Sequence, residues 1–237
     1  EWYGARMAPT RPEAAAPTPA ATPDETPDAN PAATPDATPT DGRRLRRDRN
    51  RDAVVRALLE LYNEGNLAPS TEEVAARSGV SARSLFRYFD DSDDLSQAAI
   101  AQQQENVRHL LPIAADPDDP FADRVAALVH QRGELFEAIE SVATVSRLRA
   151  PFQLVVADRL TQGRAFLRHQ LQVLFAAELA ALTADGAATR LAAVDVATSF
   201  EAWRLLRDDL RLSRPRAAAA MATTVTALFH LPDESEP

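Results

Sequence analysis

Ala75, Gly79 and Leu85, framed by two capping serines, constrain this chain more than any other feature. Ser70 with Glu73 three residues on has the pattern of a capping box, which starts a helix at that point. The helix must be short, because Ser78-Gly79 follows, and Ser81 can cap the next one. Two helices that cross steeply need a small residue where they touch, a turn residue that tolerates positive φ, and an apolar plug on the second helix. Ala75, Gly79 and Leu85 supply these in order, with Val74 and Val80 beside them. The spacing predicts a helix-turn-helix, whose second helix enters the DNA major groove with its N-terminal residues at the base edges. Upstream, Val54, Ala57, Leu58, Leu61 and Tyr62 recur at helical spacing, and Gly65 can close that helix. Ser92 is expected to cap a fourth helix, with Asp93 and Asp94 favourable against its positive end.

Bulk charge argues the other way. The 237 residues hold 26 basic and 35 acidic side chains, a net charge of −9, whereas phosphate contacts need cations. The charge is unevenly spread, however. Residues 1–42 carry 2 Arg and 7 acids, residues 43–90 carry 10 Arg and 7 acids, and residues 91–237 carry 14 Arg and 21 acids. The middle segment is therefore net positive. Arg43, Arg44, Arg46, Arg47, Arg49, Arg51 and Arg56 face only Asp48 and Asp52 at the entry of the folded unit. All the basic residues are arginine, so every cationic contact is a planar, permanently charged guanidinium. There is no cysteine, which excludes disulfides, thiolate nucleophiles and cysteine metal sites.

On the second helix of the unit, Leu85 and Phe89 lie one turn apart and should face inward. Ser81, Ala82, Arg83, Ser84, Arg87 and Tyr88 remain for the outside. Arginine is the commonest reader of guanine, and serine or tyrosine can reach bases or phosphates. The plainer reading is a helical hairpin with an ordinary polar face. The stretch STEEVAARSGVSARSLFRYFDDSDDL, Ser70 to Leu95, resembles the DNA-binding domain of the tetracycline-repressor (TetR) family, whose usual form is TxxxIAxxAGVSxGTLYxHFxSKxxL. The likeness spans residues 47–95. It implies that Arg83 and Ser84 read bases, that Phe86 takes the place of the family's Tyr, and that Tyr88 takes that of its phosphate-touching His or Tyr. Thr71 falls on a phosphate-contacting Thr. One departure stands out: the family often has Lys at the start of the fourth helix, where this chain has Ser92 amid Asp90, Asp91, Asp93 and Asp94. The arginine arm over 43–51, with Arg47 and Arg49, is expected to compensate through phosphate or minor-groove contacts.

Three domains are expected. Residues 1–42 form a Pro/Ala/Thr-rich tail with nine prolines between Pro9 and Pro39, read as disordered. Residues 43–95 form the helix-turn-helix domain with its basic arm, and residues 96–231 a helical ligand-binding and dimerisation domain. In the last, helical periodicity runs to about Leu111 and ends at Pro112. Further helices are expected from Phe121 to Ser141, from near Pro151 to Thr183 with a break at Asp185-Gly186, and over 188–211 and 214–230. SFEAWRLLRDDLRLS and the alanine-rich helix after it resemble the last two helices of many TetR regulators, which implies that they pair two copies about a two-fold axis. The small residues Ala217–Ala220, followed by Met221, Val225 and Leu228, suit such packing. Between Pro151 and Thr183, Phe152, Arg159, Phe166 and Gln170 share one stripe, read either as the wall of an effector cavity or as core with polar edges. Phe136 and Trp203 are candidate further walls.

Enzyme signatures are missing. The four histidines form no HxxxH or HExxH pair, and no GxSxG, P-loop or GxGxxG occurs. No catalytic residue, metal ligand or cofactor is expected. EWYGARM lacks the basic and apolar regions of a secretory signal, and no apolar run approaches a membrane span. A cytoplasmic, all-α bacterial regulator follows: a ligand-responsive repressor that binds a palindromic operator in double-stranded DNA as a homodimer and answers a small-molecule effector. Two alternatives remain open, an activator of the same fold and a ligand-binding or protein-interaction dimer with weakened operator binding. Removing residues 1–47 is expected to lower the salt dependence of operator affinity by about 0.9 in log–log slope per lost phosphate contact. An unchanged slope would show that the arm does not touch phosphate.

Overall fold

The computed structural model describes residues 39–232; of the tail expected over 1–42, residues 1–38 lie outside the described residues, and 39–42 are not a tail but the first turn of a helix. These form ten α-helices in the order α1 (Pro39–Asn63), α2 (Thr71–Ser78), α3 (Ala82–Tyr88), α4 (Ser92–Asn106), α5 (Phe121–Arg149), α6 (Leu154–Leu174), α7 (Ala176–Ala180), α8 (Ala184–Ala197), α9 (Phe200–Arg204) and α10 (Arg214–His230). A 3₁₀ turn, Arg108–Leu110, follows α4, and a π turn, Leu205–Asp209, follows α9. No strand occurs among the described residues, and none of their helices is long and apolar enough to cross a membrane.

The helix α5 organises the rest. Its 29 residues rise about 43 Å at 1.5 Å each. Three apolar clusters form along it. Val142 and Val145 near its C-terminal end join Val54, Leu58 and Tyr62 of α1, Val74 of α2, Leu85 and Phe89 around α3, and Ala99 of α4. Val129, Leu135 and Phe136 pack with Phe200 and Trp203 of α9 and with Ala217 and Met221 of α10. Val125 and Leu128 meet Leu171 and Leu174 of α6, Leu191 and Val194 of α8, and Val225 of α10. The expectation ended this helix at Ser141. The β-branched run Val142, Thr144, Val145 weakens local helix preference, but burying Val142 and Val145 against α1 outweighs it.

Other boundaries shift for equally local reasons. The basic run over 43–51 lies within α1, which begins at Pro39, so it is a helical extension rather than a separate arm. The α4 helix ends at Asn106, and the 3₁₀ turn carries the chain towards Pro112. The expected helix over 151–183 starts only at Leu154, and Pro151 lies in the turn before it. It is then broken at Phe175 (φ −114°). That ring is wholly buried with its centroid 5.8 Å from Phe121 and 4.7 Å from Phe229. Asp185-Gly186 is not a break. Thr183 caps α8 by accepting a hydrogen bond from the Gly186 backbone N–H, which places both residues in the first turn. The expected helix over 188–211 is divided because Thr198 bonds back to the Val194 carbonyl and Ser199 caps a new start at Phe200. Ala217, Met221 and Val225 of α10 are buried within the single chain, against α5, α8 and α9, so this stripe is not an open face for a second copy.

Charged pairs tie the helices at their edges. Glu201 of α9 accepts from Arg147 of α5 at 2.7 Å and from Arg164 of α6 at 2.9 Å. Partial burial pushes the Glu201 carboxyl up, but these bonds, with Arg147 first, and the backbone bond hold it down at about 2. A folded-state value below the unfolded one contributes stability above roughly pH 4.3, and that stability is lost as pH falls towards 2. The side chain is half exposed, so solvent limits the size of the effect. Glu201→Gln should therefore lose less stability than the wild type between pH 5 and pH 3 in urea unfolding. Parallel curves would remove Glu201 from the acid response.

Candidate nucleic-acid interface

The unit α2–turn–α3 is built as its spacing dictates. The Ser70 side chain accepts from the Glu73 backbone N–H, and Glu73 Oε2 accepts from the Ser70 N–H at 2.7 Å, closing the capping box. The Ser70 N–H and then the Ser70 hydroxyl, both donating to this carboxylate, hold Glu73 below its ordinary range. Gly79 ends α2 at φ 69°, ψ 14°, in the left-handed region. Ser81 caps α3 by accepting from the Ser84 N–H, and its hydroxyl donates to Ser84 Oγ at 2.9 Å. Leu85 and Phe89 point into the core with Val74 and Ala75.

The outer face of α3 presents Ser81, Arg83, Phe86 and Arg87 to solvent, with Ala82 and Ser84 half-buried between them. Phe86 is 70% exposed. Tyr88 departs from the expectation of a solvent-facing side chain. It is only 8% exposed and joins the first cluster. Its hydroxyl accepts from Asn50 Nδ2 of α1 at 2.8 Å, and this bond, with Arg87 second, lowers the phenol below its ordinary value. The ring thus fastens α3 to α1, because one more half-turn along so short a helix rotates it towards the core. Thr71 is the first residue of α2 and is half-buried. Arg43, Arg44, Arg46, Arg47 and Arg49 are all exposed along α1, and Arg49 Nε donates to the Leu45 carbonyl. Arg51 is committed elsewhere. It pairs with Asp94 at 2.5 Å and lies over the Phe89 ring at 4.9 Å.

The acidic start of α4 has internal work. The expected Ser92 cap is replaced by Asp91, which accepts from the Asp93 and Asp94 N–H groups at 2.8 Å each. Asp94 also takes Arg51, and Asp93 accepts from Gln153 Nε2 at 2.8 Å. A carboxylate fits this positive helix end better than a hydroxyl.

The candidate effector residues do not converge. Phe136 and Trp203 lie in the second cluster, with Phe136 edge-on to Phe200 at 5.7 Å. They border a recess of about 60 Å³, well below the few hundred Å³ of a typical ligand site. Phe152 is 88% exposed in the turn before α6. Arg159 is half-buried and donates to Gln162 at 3.2 Å, and Phe166 is half-buried. Gln170 is engaged by Arg132, whose Nη1 donates to its Oε1 at 2.9 Å. Arg132 was missed by sequence reasoning. It sits in the apolar spacing Val125, Leu128, Val129, Arg132, Phe136 of α5, where a charge is out of place, and that is the signal that could have found it. Among the described residues no group of three His, Asp or Glu side chains is placed to hold a metal ion.

Residues 54–99 match the model of the family described as bacterial regulatory proteins, tetR family. No curated protein matches the chain. Solved structures share its fold. A transcriptional regulator from Rhodococcus sp. RHA1 aligns with a TM-score of 0.55 at 18% identity, over 77% of this chain and 95% of that one. A structure from Rhodococcus sp. described as a TetR-family regulator aligns with a TM-score of 0.54 at 19% identity, over 76% and 98% of the two chains. The multidrug binding protein EbrR, in complex with imidazole, aligns with a TM-score of 0.51 at 20% identity, over 81% and 98%. Gly79→Ala is expected to cost about 1 kcal/mol, since it forces a Cβ into the left-handed region. Urea unfolding measures this, and an unchanged midpoint would mean the turn relaxes freely.

Proposed function

We propose that this chain, whose residues 54–99 form a tetR-family helix-turn-helix in a TetR-type transcriptional-regulator fold, represses transcription by docking α3 in the major groove of a palindromic operator. The observation that carries the reading is the outer face of α3. Its capped N-terminal turn offers Ser81, Arg83 and Ser84 from a helix fixed by buried Leu85, Tyr88 and Phe89. A reader must be rigid where it meets base edges, and α3 is anchored to α1 and α2 on its inner side. The exposed arginines of α1, with Arg47 and Arg49, provide the sequence-independent hold on phosphate. The acidic start of α4, which suggested weakened operator binding, is occupied by helix capping and by the Arg51–Asp94 and Gln153–Asp93 contacts.

Repression by a two-fold dimer fits a palindrome. The outward faces of α8, with Ala188, Ala192 and Val196, and of α10, with Ala219, Thr223 and Ala227, are exposed and small enough for two copies to approach closely. These faces replace the Ala217, Met221, Val225 stripe as the pairing surface. Release by a small molecule in the C-terminal helices completes the reading, and the drug-binding EbrR of the same fold supports it. In gel shifts against DNA upstream of the gene, Arg83→Ala should cost about 1–3 kcal/mol on the operator and little on unrelated DNA. Arg47→Ala should weaken both equally and lower the salt slope by about 0.9. Equal losses from the two substitutions on the two DNAs would contradict the division of labour.

A further inference from the structure

Arg132 is wholly buried, at 0% exposure, in the middle of α5. No carboxylate lies within ion-pair distance of it among the described residues. Its nearest acid by charge, Asp195, is bound to Arg168 at 3.1 Å. Burial pulls the guanidinium down to about 10, which Asp195 only partly offsets. Three neutral oxygens face the fork: Gln131 Oε1 at 2.5 Å, Gln170 Oε1 at 2.9 Å and the Leu167 carbonyl at 3.1 Å. Nε has no hydrogen-bond partner among the described residues. The contrast with Arg124, two turns earlier on the same helix, is direct. That buried guanidinium takes Glu178 through both terminal nitrogens, at 2.9 and 2.5 Å. A guanidinium removed from water without a counter-charge is costly to the fold and is compensated when an anion reaches it.

The two glutamines have a second set of bonds. Gln131 Nε2 donates to the Leu110 carbonyl at 2.7 Å, and Gln170 Nε2 donates to the Leu111 carbonyl at 2.7 Å. Leu110 ends the 3₁₀ turn beyond α4 and Leu111 follows it, and the other end of α4 succeeds α3 in the chain. One buried charge therefore holds, through two amides, the segment that joins α1, α2 and α3, the reading head of the function proposed above, to the C-terminal helices.

We propose that Arg132 is the anchor for an anionic effector, a carboxylate or a similar small oxyanion. The anion takes the guanidinium fork from Gln131 and Gln170 and frees their hold on Leu110 and Leu111. This rests on the ligand-responsive reading above and adds the effector's charge, its anchor and its route to α4.

The test uses the full chain and paired probes: hexanoate, benzoate and phenylacetate, each beside its primary amide. At least one acid should raise Tm by about 3 °C or more near ten times its Kd, and its amide should not. Arg132→Met should erase that rise and, without acid, melt no lower than the wild type. Arg132→Lys, which keeps the charge but not the fork, should retain a reduced rise, and it carries the test if the methionine variant does not fold. Amides that act as well as acids, acids that act equally on Arg132→Met, or no response to any acid would each overturn the proposal. The ligand-responsive reading fails separately, if the DNA complex in a gel shift survives every compound that stabilises the protein.

Discussion

Burial of α5 on several sides at once is the constraint from which the rest of the structure follows. Val142 and Val145 serve the reading head, Leu135 and Phe136 serve the α9–α10 layer, and Val125 and Leu128 serve α6 and α8. A helix shared by three clusters cannot shift in one without disturbing the others, because cores packed to crystal-like density transmit displacement. Gly133 shows how close the fit is: a Cβ built there would sit 3.0 Å from the Trp203 ring. The reading head is accordingly fused to the C-terminal helices through packing and does not hang on a linker.

The polar contacts along α4 give that connection its character. At the N-terminal end, Gln153 reaches Ser92 and Asp93, and Arg149 reaches Ser96. Midway, Gln103 donates to the Ala138 carbonyl of α5 at 2.9 Å. At the far end, Gln131 and Gln170 hold Leu110 and Leu111. Hydrogen bonds are directional and individually modest, so such a seam can exchange partners where an apolar seam would have to be pulled open. A ligand that binds two arrangements of this seam unequally shifts the population between them.

The reading head was legible in the sequence because its signals are local. A capping box, a left-handed glycine and an apolar plug act within a few residues, and Ser70, Gly79 and Leu85 stand where their spacing places them. The C-terminal helices were legible as helices but not in their ends. Phe175 breaks a helix to reach Phe121 and Phe229, contacts some fifty residues away that no local pattern reveals. Tyr88 and the Ala217 stripe failed for a related reason. Each lies on a face whose partner, α1 for the first and α5 with α9 for the second, is set by tertiary packing alone. Net charge carries no such local information: Asp91, Asp93 and Asp94 are taken up by the α4 cap, Gln153 and Arg51, while Arg43, Arg44, Arg46, Arg47 and Arg49 of α1 stay exposed.

If α3 reads an operator from a two-fold assembly, hydroxyl-radical footprinting of the full chain on DNA upstream of its gene should show two protected patches related by a dyad, with centres about 34–36 Å, or one helical turn, apart. Arg83→Ala should erase both patches together. Absence of protection at low salt, or one asymmetric patch that survives Arg83→Ala, would contradict that reading.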